Sequence, residues 1–188
     1  PPSNNNKDYN MNFSAPILFA FVLLVSSAAL AGPITKEMGD QYYENCLKGA
    51  SAEGTMSQRS QATFCKCTSE KMQDNMTTED IQALAATGDP AARAALNKVL
   101  EFVQAPCLQA PVHDMIAKKC QVDIGKPQVC NCLSQKMGEY TEQQAVQLMG
   151  KILKQNPNIV DPMAAIVDSE DFQTTQKSIA LSCLTNTQ

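Results

Sequence analysis

The chain contains no tryptophan, a single histidine and few aromatic residues (5 %). From residue 32 onward the aromatics are Tyr42, Tyr43, Phe64, Phe102, Tyr140 and Phe172. Halves of that length with so few rings have thin cores, the situation in which small domains rely on covalent staples. Basic charge is also lacking. The formal net charge of −4 and a pI near 5.0 argue against a nucleic-acid partner, which needs a cationic face. No glycine-rich phosphate loop, HExxH, GxSxG or cysteine–histidine signature occurs, so neither a catalytic residue nor a cofactor is expected.

Long apolar runs are confined to one place. Residues 15–31 are apolar apart from Pro16, Ser26 and Ser27, and they close on Ala29-Leu30-Ala31. Small residues at these two positions are what signal peptidase accepts, so 11–31 reads as a signal peptide cleaved after Ala31. The run lies at the short limit for a bilayer span, so no lasting membrane anchor is expected. No Lys or Arg stands between Met11 and the run, which departs from the usual pattern. Residues 1–10, rich in Asn, Pro and Ser, are set aside as an upstream segment. Export places the protein in the periplasm or the extracellular space.

Cysteine is what the chain does have. Cys65-Lys-Cys67-Thr-Ser69-Glu-Lys71-Met72 is echoed by Cys130-Asn-Cys132-Leu-Ser134-Gln-Lys136-Met137. Cys46 and Cys107 flank the first motif, Cys120 and Cys183 the second. Two copies of C…CxC…C in an exported chain predict an all-α fold of two tandem disulfide-stapled helical modules, 32–110 and 111–188. On a helix, residues two apart point about 200° from each other. Each CxC therefore reaches partners on opposite sides, one upstream and one downstream. Which cysteine takes which partner stays open at this level. An all-thiolate zinc site in each half is the metal alternative, and a thiolate activated by Lys71 or Lys136 the redox one. The oxidising destination favours disulfides over both, and no metal site is assigned.

Helix signals recur through both halves, whereas strand signals are weak. Thr35 opens a first helix toward Cys46, and Ser57 a second that carries Cys65. Thr78 caps a third that Gly88 ends, and Asp89-Pro90 starts a fourth with the stripe Ala92, Leu96, Val99, Val103 and Cys107. A boundary is placed near Ala110-Pro111. After Cys120, Gly125-Lys-Pro127 marks a turn into the Cys130 helix. Thr141-Glu-Gln-Gln144 fits the capping box of a separate helix. Asp161-Pro162 opens the last segment, broken near Asp168–Asp171.

Helical spacing puts Cys65, Ser69 and Met72 on one face and Cys67 with Lys71 on another. Cys130, Ser134 and Met137, and Cys132 with Lys136, repeat that division. The first cysteine of each CxC is expected on the buried side, the second near the edge under its lysine. Lys71 and Lys136 are candidate surface or ligand residues, although a snorkelling side chain at a helix edge, inherited by duplication, is the favoured account. The methionines fall at apolar-stripe positions and read as core filler rather than copper ligands. His113 beside Asp114 has no nucleophile placed with it in the sequence. Asn75-Met76-Thr77 is a glycosylation sequon.

The eight cysteines and the CxC resemble those of plant lipid-transfer and seed-albumin proteins. Those families carry an adjacent Cys-Cys pair and one CxC, while this chain has no such pair and two CxC motifs, so no residues are carried over. The reading is an exported, non-enzymatic binding protein that presents a helical surface to a protein partner. A carrier of an apolar small molecule or lipid is the first alternative, and a metal-binding or thiol-redox protein the second.

Overall fold

A computed structural model describes residues 32–86 and 89–185, so the segment 11–31 expected to be a signal peptide and the expected helix end at Gly88 lie outside the described residues. The fold is all-α with four disulfides. In order come α1 (Lys36–Glu53), α2 (Gln58–Asn75), α3 (Thr78–Ala85), α4 (Pro90–Lys98), α5 (Gln109–Asp123), α6 (Pro127–Gln155), α7 (Pro162–Val167) and α8 (Glu170–Thr185).

Local chemistry sets most helix starts. Thr35, Ser57, Asp89 and Asp161 each accept a backbone N–H from the first turn of the helix they precede. The third helix is capped by Thr77, one residue before the expected Thr78, because Asp80 returns a bond to the Thr77 N–H and completes a capping box. Gly54 and Gly125 end helices at φ 63° and 68°, where a Cβ would be strained.

One expected element does not form. Thr141 caps nothing: α6 runs unbroken from Pro127 to Gln155, with Thr141 buried and its hydroxyl donating to the Met137 carbonyl at 2.8 Å. Chain length explains the difference from the first half. Residues 73–77 separate Met72 from Thr78-Glu79, whereas only 138–140 separate Met137 from Thr141-Glu142. The two extra residues in the first half include Met76 and Thr77, both extended, and they break the helix there. Without them the hydroxyl is satisfied inside the helix and nothing stops propagation.

Beyond α4 the chain widens into a π-helical turn, Val99–Gln104, then tightens into a 3₁₀ turn, Ala105–Cys107, before α5. Pro106 has no N–H to give the Phe102 carbonyl, its partner in a regular helix. The Asn75 side chain approaches that carbonyl instead, at 3.4 Å. The wide turn divides its side chains between two cores. Val99 and Val103 pack with Ile34, Met72 and Met76, while Leu100, Ala105 and Leu108 join the large core of α5, α6 and α8. Ala110-Pro111, the expected boundary, lies in the first turn of α5, and Pro111 is buried. The first half's remaining core is small, centred on Cys46, Ala50 and Cys65. There the disulfide itself is a principal core member.

Candidate functional site

Each CxC sends its first cysteine upstream and its second downstream. Cys46 pairs with Cys65 and Cys67 with Cys107; Cys120 pairs with Cys130 and Cys132 with Cys183. Cys65 and Cys130 are buried with Ser69, Met72, Ser134 and Met137, while Cys67 and Cys132 are half-buried. With all eight sulfurs bonded pairwise, no thiolate remains for the zinc alternative or for a free-thiol redox centre. Four disulfides belong to an oxidising, non-cytoplasmic compartment. No described helix is long and apolar enough to cross a membrane. Lys71 is half-buried on α2 and Lys136 exposed on α6, each beside its own disulfide. The ion pairs among the described residues involve other lysines.

The structure brings His113 to a partner that sequence spacing had placed only on a helix face. Ser134 Oγ lies 3.3 Å from His113 Nε2, and His113 Nδ1 lies 3.2 Å from Asp114 Oδ1. Atom order alone would suit a nucleophile, a base and an orienting carboxylate. Burial argues otherwise, because Ser134 is 1 % exposed and its oxygen is also 3.2 Å from the Asn131 carbonyl. The other half carries the same serine. Ser69, likewise four residues after the first cysteine of its CxC, donates at 2.7 Å to the carbonyl of Gly39. Gly39 precedes Cys46 by seven residues, as His113 precedes Cys120. In both halves the serine ties its helix to the preceding one.

Asp114 faces the first half. It accepts the Ser57 N–H at 2.8 Å, beside the α2 cap, while Lys118 Nζ donates to the Thr55 carbonyl at 3.0 Å. Burial alone would raise the Asp114 pKa. The Ser57 N–H, the Ser60 hydroxyl and His113 outweigh it and hold the carboxyl below the usual aspartate range. This cluster joins the two halves.

A feature with the shape of a binding site lies between α6 and α8. An open groove of about 650 Å³ is lined by Tyr140, Gln144, Gln147, Leu148 and Lys151 from α6 and by Glu170, Asp171, Thr174 and Thr175 from α8. Lys151 crosses it to Asp171 at 2.6 Å, and that hydrogen bond, with the attraction behind it, raises the lysine pKa. Tyr140 rests on the buried Phe172, ring centroids 6.2 Å apart and planes tilted by 60°. Cys132–Cys183 staples the same two helices. The lining offers amides, hydroxyls, carboxylates, one ammonium, one ring and Leu148: donors and acceptors for a polar ligand beside a smaller apolar share.

None of these groove residues stood out in the sequence, yet a signal existed. Tyr140, Gln144, Gln147 and Lys151 recur at helical spacing on one face of α6. Treating Thr141 as a helix start cut that stripe after its first member. Comparison with protein-family models, curated proteins and solved structures finds no match to this chain.

Proposed function

We propose that the protein is an exported, non-enzymatic binding protein built from two helical modules related by duplication, and that the α6–α8 groove engages a polar segment of a protein partner. One observation carries this reading: the two walls of the groove are joined by both a disulfide and an ion pair, Cys132–Cys183 and Lys151–Asp171. Walls held in place before binding reduce the ordering cost of association, which otherwise consumes much of the contact energy. The mixed polar lining suits hydrogen-bonding recognition, and its half-buried Tyr140 offers one ring as an anchor. Periplasm or extracellular space is the proposed location.

The test uses the oxidised full chain as exported. Gln147→Arg and Thr174→Arg place bulk and charge in the groove from its two walls, and each should abolish capture of a partner that the wild-type protein retains. A partner retained equally by wild type and both variants would place the binding face elsewhere and refute the assignment.

A further inference from the structure

We propose that Cys132–Cys183 is a reducible latch on the α6–α8 groove, opened by a protein dithiol to release the bound segment; this rests on the groove reading above. Burial divides the four bridges into two kinds. Cys46, Cys65, Cys120 and Cys130 are each no more than 4 % exposed, so the first bridge of either half shields both its sulfurs. In Cys67–Cys107 and Cys132–Cys183 one cysteine is buried and the other, Cys67 or Cys132, is half-buried. Access governs which disulfide an incoming thiol attacks, and at which sulfur. Lys136 stands one helical turn after Cys132, exposed, and none of the ion pairs among the described residues uses it. An ammonium there favours both the approach of an anionic thiolate and the thiolate that Cys132 becomes.

The position of the bridge makes its opening felt in the groove. Phe172 and Cys183 are the buried side chains of α8, and that helix packs mainly against α6. The groove wall, residues 170–175, lies at the Phe172 end. A rod held at two points is fixed, while a rod held at one can pivot. With the bridge open, α8 turns about Phe172, and Thr174 and Thr175 lose their fixed distance from Gln144 and Gln147 across the groove. Cys67–Cys107 has no such reach, because it joins α2 to the 3₁₀ turn Ala105–Cys107 and touches neither wall.

The exchange balances with a dithiol as the reductant. One of its thiolates attacks the Cys132 sulfur; a mixed disulfide forms, the Cys132–Cys183 bond breaks, and Cys183 leaves and takes up a proton. The second thiol then attacks the reagent's own sulfur in the mixed disulfide and expels Cys132, which is protonated in turn. Two electrons have passed to the bridge, and the dithiol has become a disulfide.

The experiment treats the oxidised full chain with limiting dithiothreitol, alkylates the thiols released and locates them by peptide mass. Cys132–Cys183 should open about tenfold faster than Cys46–Cys65 and Cys120–Cys130, since access differs. Opening of either of those first overturns the proposal. In the protein reduced at Cys132–Cys183, amide hydrogen exchange should accelerate along α8 while α5 and α6 stay protected. Unchanged exchange in α8 overturns the latch, and so does lost protection throughout α5 and α6, which would mark a staple of the whole fold. Reduction should also weaken partner capture about tenfold, because the groove walls are no longer ordered before binding. An oxidised protein that captures no partner refutes the groove reading, while the order of opening and the α8 amides still decide whether the bridge is a latch.

Discussion

Glu53 is the residue most at odds with its surroundings. It ends α1, where the negative pole of the helix disfavours an anion, and its Oε1 is buried without a hydrogen-bond partner. Burial raises its pKa, and repulsion from Asp161, the cap of α7, adds to the shift. Glu53→Gln keeps the shape and removes the charge. Because the group is only partly buried, the expected gain at neutral pH is modest, from a few tenths to about 1 kcal/mol. Its pH dependence has a definite sign. A carboxyl whose folded pKa is raised is favoured when protonated, so its unfavourable contribution exists above the unfolded value, about 4.3, and vanishes below it. Urea midpoints at neutral and acid pH should therefore show the variant ahead at neutral pH and level with wild type in acid. An unchanged midpoint at neutral pH would show that solvent already screens the charge.

At the scale of elements, the two helix crossings solve one packing problem in opposite ways. Gly39 on α1 lies opposite Gln73 on α2, and a Cβ there would fall 2.3 Å from Gln73 Nε2. In the second half the glycine is on the other helix: Gly138 on α6 faces Gln109 and His113 of α5. A Cβ at Gly138 would meet its neighbours at 3.5–3.6 Å, an ordinary contact. Gly138 also sits deep inside the long helix that the groove needs unbroken. Gly138→Ala should raise stability by about 0.5–1 kcal/mol, because glycine costs roughly that much in a helix interior. Thermal unfolding measures it, and a lowered midpoint would mean that the α5–α6 crossing is tighter than these distances allow. The caps of α1, α2, α4 and α7 were legible because each is decided by a few adjacent residues. The continuity of α6 was not, since a Thr-Glu-Gln-Gln sequence caps a helix only where the preceding turn has already ended.

The whole molecule depends on its cross-links unevenly. The bridges span 19, 40, 10 and 51 residues in chain order. If restriction of the unfolded chain dominates, replacing the Cys132–Cys183 pair by alanines should cost about 4 kcal/mol and the Cys120–Cys130 pair about 3. Guanidinium unfolding of the two double variants checks the order. The reverse order would show that local packing around the buried Cys130 outweighs loop entropy. The Cys132–Cys183 variant should also loosen the groove, because that bridge joins its walls.

Much of this protein follows from short-range information. Helical class, cap positions, the division of each CxC to opposite sides and the need for staples all rest on residue type and on spacing within a few turns, which act before any distant contact exists. The tertiary structure alone decided which cysteine takes which partner, since both schemes satisfy helical geometry and only the approach of α1, α5 and α8 separates them. It also decided that Ser134 meets His113, that the π-turn side chains serve two cores, and that polar faces of α6 and α8 close on one groove. The bridges join residues 10 to 51 positions apart, and Ser134 and Lys151 meet their partners 21 and 20 positions away. Their geometry depends on how whole helices cross, and no local pattern records that angle.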